Sequence, residues 1–181
     1  NCYNAGTVIG KDTNKTAGVV GVYDSVSFVY IKNCYNIGNV SNYGISSGYR
    51  GTNSNNYTLL GAAPNAGGSA VQAAVLKTYA DTLGDAYMDN PTSYNDGYPI
   101  LTWEEPRALA VAKEEFPAQL EAYESGEGFA EGAKAQLALA VKAGKKAIAE
   151  AETLAEAIAA LDEAKKSIDN INPEDLVLAG D

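Results

Sequence analysis

Asn1-Cys2-Tyr3-Asn4-Ala5-Gly6-Thr7-Val8 recurs as Asn33-Cys34-Tyr35-Asn36-Ile37-Gly38-Asn39-Val40, with six of eight positions matching. An eroded third copy stands at Asn55-Asn56-Tyr57-Thr58. Self-similarity of this kind is the mark of stacked repeat units, each burying its apolar face against the next. Between the copies, Ala17-Gly18-Val19-Val20-Gly21-Val22 and Val26-Ser27-Phe28-Val29-Tyr30-Ile31 read as short strands, rich in β-branched and aromatic residues and without helical periodicity. Gly6 and Gly38 would supply turn conformations closed to other residues. Asn4 and Asn36 would occupy equivalent corners and tolerate left-handed backbone. With successive turns about 4.8 Å apart, the amides of these two asparagines would bond along the column. The reading puts Cys2 directly over Cys34 and predicts the end of a short right-handed parallel β-solenoid.

These Asn-Cys-Tyr-Asn-x-Gly-x-Val units, with a Gly-Val-Val-Gly stretch between them, resemble the GLUG-type repeats of bacterial surface proteins. The resemblance covers about residues 1–104. Ser69-Ala70-Val71-Gln72, Leu83-Gly84-Asp85-Ala86-Tyr87 and Asn95-Asp96-Gly97-Tyr98-Pro99-Ile100-Leu101-Thr102-Trp103 are similar to the segment that closes such arrays. It implies a final strand with Tyr-Pro-Ile-Leu and Trp tucked under the last turn. Two departures from the pattern are the missing second Gly before Val and the eroded third unit. Ser69 and Gln72 have capping-box spacing, which predicts a short helix starting there. An open sheet edge invites aggregation, so residues 60–104 are expected to cap the array with that helix and the Ile100–Trp103 strand.

Composition changes near Trp103–Pro106. Residues 1–103 carry 5 Lys/Arg and 6 Asp/Glu, and residues 104–181 carry 8 and 17. Glu105-Pro106 places proline where a first helical turn accepts it. Leu109, Phe116, Leu120 and Tyr123 then fall on one helical face. Pro117 should kink or split that helix, and Gly126 and Gly128 should end it. A second helix is predicted from about residue 129 to 151, with Leu137, Val141 and Ile148 on one side. Thr153 and Glu156 form a capping box for a third, carrying Leu154, Ile158, Leu161 and Ile168. The prediction is an up-down-up three-helix bundle over 105–172, with 173–181 a linker to a following segment. Leu120-Glu121-Ala122-Tyr123, residues 143–151 and residues 157–171 are similar to FIVAR-like modules. That resemblance implies a spacer or binding module of Gram-positive surface proteins.

The net charge of -10 disfavours nucleic acid and anionic membranes. No run reaches the ~18 apolar residues needed to span a bilayer. The chain has no histidine, which removes the commonest general base and metal ligand. The chain opens inside a repeat unit without a visible signal peptide, and reads as an excised piece of a larger protein. Cys2 and Cys34 hold one repeat position and read as inward-facing small apolar residues rather than nucleophiles, since no His partner exists. Asp12 and Asp24, the two acids of the first 80 residues, are too sparse for glycan cleavage by paired carboxylates. Asp85, Asp89 and Asp96, with Asn90 and Asn95, are calcium candidates by ligand type, although their sequences are also ordinary turn chemistry. Tyr23, Tyr43 and Tyr49 are the glycan-contact candidates among the repeat tyrosines, against the plainer reading of tyrosine packed on a sheet. No catalytic residue and no cofactor is assigned.

The sequence therefore leads us to expect a non-catalytic, adhesin-type structural segment of a secreted or wall-associated bacterial surface protein. The alternative is a carbohydrate-binding or accessory module of a polysaccharide-active enzyme. Expected partners are a host or neighbouring-cell glycan or protein, with self-association through the open solenoid edge.

Overall fold

Strand β2 (Val29–Asn36) carries the second repeat copy and lies between β1 (Cys2–Asn4) and β3 (Gly51–Leu59), with β4 (Ser69–Val71) beyond β3. This computed structural model describes residues 1–11, 15–21, 29–46 and 51–174. The four strands form one parallel sheet in chain order. Cys2 pairs with Cys34, Tyr3 with Tyr35 and Asn4 with Asn36. The third copy continues the register, with Cys34 against Asn56, Tyr35 against Tyr57 and Asn36 against Thr58. The superposition of Cys2 on Cys34 expected from the repeat is therefore observed. Further parallel bridges join Val8 to Val40, Ala17 to Tyr43, Val20 to Ser46 and Tyr43 to Asn65. Equivalent stretches thus pair away from the main sheet as well.

The repeat is itself the strand, rather than a link between strands. Residues 17 and 20 make only isolated bridges, Val22 and residues 26–28 lie outside the described residues, and β2 runs through Asn33-Cys34-Tyr35-Asn36. Left-handed backbone falls at Asn33 (φ 54°) and Asn55 (φ 56°), not at Asn4 and Asn36. Asn tolerates this region better than most residues. The Asn33 and Asn55 side chains also stack, the Asn55 amide donating to Asn33 Oδ1 at 2.8 Å.

The predicted column of amides is present. Asn4 Nδ2 donates to Asn36 Oδ1 at 2.7 Å, and Asn65 donates likewise to Asn42. Each repeat asparagine also holds its own bend, Asn4 Nδ2 bonding the Gly6 carbonyl and Asn36 Nδ2 that of Gly38, both at 2.9 Å. Gly6 and Gly38 do not have positive φ. Gly38 is required for closeness instead, because a Cβ there would stand 2.0 Å from the Gly6 carbonyl oxygen.

Both faces of β2 are covered at Cys34–Asn36, while Tyr30 and Lys32 stay exposed. Ile31 and Cys34 pack with Ile45, Val19 and Val20 on one side. Tyr35 packs with Leu76, Leu83, Tyr87 and Tyr98 on the other. That second cover is the segment holding α1 (Ala73–Leu76), α2 (Ala80–Leu83) and the antiparallel pair β5 (Tyr87–Met88) and β6 (Ile100–Leu101). It lies across the sheet face rather than over its end, since it reaches residues of β1, β2 and β3. The capping-box expectation at Ser69 fails. Ser69 is in β4, paired with Tyr57, and α1 starts after Gln72 with no side-chain cap. A fourth strand satisfies the outward backbone groups of β3, which a helix of four residues could not do. Trp103 is 68% exposed rather than tucked in.

The chain divides into two compact units, Asn1–Thr102 and Trp103–Asp181, at the change in composition. The second unit contains α3 (Glu105–Glu121), α4 (Glu131–Glu150) and α5 (Leu154–Asp169), which pack against one another. Helix α3 carries Pro106 in its first turn and continues unbroken through Pro117. Phe116 and Leu120, buried on either side of Pro117, offset its lost backbone bond. The buried face is Ala108, Ala112, Phe116 and Leu120, with Leu109 half-buried and Tyr123 exposed. Helix α4 buries Leu137, Val141 and Ile148 as the spacing predicts, together with Gly144. The Thr153–Glu156 capping box is present, with Glu156 N–H on Thr153 Oγ1 at 3.1 Å. Thr153→Ala should cost about 1 kcal/mol in a urea melt followed at 222 nm, and an unchanged midpoint would refute a stabilising cap. Residue 173 is not free linker, since the Ala130 N–H donates to the Pro173 carbonyl at 2.8 Å. Residues 175–181 lie outside the described residues.

Candidate functional site

Tyr3, Tyr35 and Tyr57 of the repeats are packed against other rings, whereas Tyr30 is 68% exposed. Tyr3 and Tyr35 stack with ring centroids 5.0 Å apart and planes 4° from parallel. Tyr87 leans against Tyr35 at 5.9 Å, and Tyr79 meets Tyr57 edge-on at 4.7 Å. The Tyr35 hydroxyl donates to the Pro99 carbonyl and accepts from Asn95 Nδ2 at 2.7 Å. The Tyr87 hydroxyl lies between the carbonyls of Cys2 (2.9 Å) and Asn33 (2.8 Å). Of the three glycan candidates, Tyr43 is half-buried between its Ala17 and Asn65 neighbours. Tyr23 and Tyr49 lie outside the described residues, as do Asp12 and Asp24.

Cys2 and Cys34 are both free thiols, Cys2 exposed on the edge strand and Cys34 buried. Burial pushes the Cys34 thiol above its usual range, although the Cys2 backbone N–H pulls the other way. Its Sγ donates to the Lys32 carbonyl at 3.1 Å. The position is a bracket across the bend at Asn33, and Asn56 does the same work one turn on. The Cys34 N–H donates to Asn56 Oδ1 at 3.0 Å, and Asn56 Nδ2 donates to the Ile31 carbonyl at 2.7 Å. Burial also raises the Tyr87 phenol well above its ordinary range.

In the unfolded chain these groups lose their protons first. The folded unit therefore binds more protons above pH ~8.5 for the thiol and ~10 for the phenol, and its stability falls as pH rises. We expect the urea midpoint of the Asn1–Thr102 unit to drop between pH 8 and 11. At pH 8, a thiol reagent should modify Cys2 at once and Cys34 only on unfolding. Equal labelling rates would contradict the burial of Cys34.

The calcium candidates are separated by their own turns. Asp85, Asp89 and Asp96 are all exposed. Among the described residues no three Asp, Glu or Cys side chains group to hold a metal ion. The neighbouring amides point inward instead. Asn90 donates to the Tyr94 and Tyr98 carbonyls and accepts from Thr92 Oγ1 at 2.6 Å. Asn95 and Asp96 take φ of 49° and 53°. The loop is built to present Tyr98 and the Pro99 carbonyl to the sheet.

One open feature of this unit, among the described residues, is a groove of about 550 Å³ crossing three successive stretches of chain. Thr7 and Ile9 line it from the first turn, Asn39 and Ser41 from the second, and Ala63 and Pro64 from the third. Sequence reasoning missed it, because it looked for aromatic side chains and these residues are small. The repeat did carry the signal, since Thr7 and Asn39 are the variable positions between a conserved-spacing Gly and Val in the two copies.

Comparison with known proteins gives no family. No family model, no curated protein and no solved structure matches this chain. No helix among the described residues is long and apolar enough to cross a membrane.

Proposed function

We propose that this chain is a non-catalytic structural segment of a secreted or cell-surface bacterial protein, of the stalk or adhesin type. In this reading the stacked turns are the end of a right-handed parallel β-solenoid of GLUG type, and α3–α5 are a FIVAR-like up-down-up bundle that follows it. The observation that carries the reading is the unbroken register of Cys2, Cys34 and Asn56, and of Tyr3, Tyr35 and Tyr57, across neighbouring parallel strands. Turns that pair with their own copies build length by repetition, each touching only its neighbours. The polar side chains in the column are spent on holding the next turn, as Asn4 does with Asn36 and Asn55 with Asn33. Such a design suits stiffness rather than chemistry. Labelling of intact source cells with an antibody to the purified chain tests it. Surface staining that is lost after protease shaving is the expected result. Staining only after lysis would refute the surface assignment, and turnover of a polysaccharide by the pure chain would refute the non-catalytic one.

A further inference from the structure

The groove at Thr7, Asn39 and Pro64 is distinct from the two packed clusters on β2. One side of β2 is closed by Ile45, Val19 and Val20, and the other by the segment carrying Tyr87 and Tyr98. The groove is left uncovered. Its three strips repeat at about 4.8 Å, so it runs roughly 10 Å along the stacking direction.

Its chemistry is two-sided. Thr7 and Asn39 are exposed, and among the described residues neither side chain has a hydrogen-bond partner. Ser41 Oγ accepts from the Gly10 N–H at 3.4 Å and keeps capacity for a second bond. The same groove is lined by apolar Ala63, Pro64 and Ile9, the last 83% exposed. Gly61, at φ 90°, has nothing within 4 Å of where a Cβ would stand, so the groove is unobstructed there. Among the described residues no ionisable side chain lines it.

We infer that this groove is a binding site for a neutral oligosaccharide lying along the stacked turns. A pyranose chain offers hydroxyls at its rim and C–H faces between them, matching a lining that mixes hydroxyl, amide and aliphatic carbon. An anionic ligand would find no cation among the described residues that line the groove. A peptide adding as a strand needs an open edge. Here the backbone is already paired, Val8 N–H to the Asn39 carbonyl (2.8 Å), Ser41 N–H to that of Val8 (3.1 Å) and Val40 N–H to that of Ala62 (2.9 Å). The site adds a ligand to the stalk reading without depending on it.

The test is a titration of the ¹⁵N-labelled full chain with cellohexaose, xylohexaose, mannohexaose and chitohexaose. Oligogalacturonate serves as the anionic control, and a capped Ser/Thr/Ala decapeptide as the peptide control. At least one neutral hexasaccharide should shift the amides of Thr7, Ile9, Asn39, Ser41 and Ala63 in a saturable way. The Thr7→Val/Asn39→Ala double variant, at exposed positions, should weaken that binding at least tenfold. Ala63→Trp, which fills the groove, should abolish it. Should Ala63→Trp fail to fold, the double variant decides. Absence of localised shifts with all four sugars, undiminished binding by the double variant, or tighter binding of either control would overturn the assignment. Any of these would leave the cell-surface test of the stalk reading untouched.

Discussion

Asn56→Ala is expected to destabilise the Asn1–Thr102 unit by about 2–5 kcal/mol, because it strips two buried backbone groups of their partners at ~1–3 kcal/mol each. The left-handed turn at Asn33 throws β2 out of simple ladder geometry. The Cys34 N–H and the Ile31 carbonyl on either side of it are then served by one side chain from the next turn, at 3.0 and 2.7 Å. Asn56 is itself 4% exposed, so water does not replace the amide easily. A urea melt followed by tyrosine circular dichroism should show a midpoint lower by roughly 1 M or more, given slopes of ~1–3 kcal/mol per M. Asn56→Asp keeps the acceptor but loses the donor and buries a charge, and should be at least as damaging. A loss under ~0.5 kcal/mol, the range of ordinary surface changes, would mean that the bracket does not hold the bend.

Gly144→Leu should be the most damaging single change in the helical unit. Gly144 is buried on α4. A Cβ there would stand 2.4 Å from the Ala164 Cβ on α5 and 2.9 Å from Leu120 Cδ1 on α3. All three helices converge on this point. Overpacking of a tight core costs about 1–3 kcal/mol and sometimes more, and a leucine placed here should reach the upper end. Gly144→Ala sets two effects against each other. Helix propensity favours alanine by ~1 kcal/mol, and the contact with Ala164 opposes it. Adding Ala164→Gly removes the facing methyl, so the double-mutant cycle should show favourable coupling of ~0.5–3 kcal/mol. Melting at 222 nm measures it, and a stable Gly144→Leu chain would disprove the close approach of the helices.

Much of the site reading turned on which way a strand faces. The repeat placed Cys2 over Cys34 and Tyr3 over Tyr35 correctly, because identical residues at a fixed interval have only one register that buries them together. It read the cysteines as inward-facing, which holds for Cys34 and not for Cys2, and it did not reveal that the tyrosines lie under a cover. Tyr30 and Lys32 are exposed on either side of buried Ile31, but both faces of β2 are buried from Cys34 to Asn36, so no polar alternation marks one side as wet there. The cover comes from residues 72–102, distant in sequence. The same holds for the helices, where Leu and Phe spacing found the buried stripe only in part. Ala108 and Ala112, fully buried, were invisible to a search for large apolar residues.

By itself the sequence determined the stacking order, the Thr153 cap, the change in composition near Trp103–Pro106 and the poverty of reactive side chains. Each of these depends on near neighbours or on exact self-similarity. Only the tertiary structure decided that Asn33 and Asn55 take the left-handed turns, that Gly38 and Gly144 are needed for close approach, and that the face left open is lined by Thr7, Asn39 and Pro64. Those features depend on what a distant segment covers and on how closely two backbones approach, and neither quantity is written in local residue order.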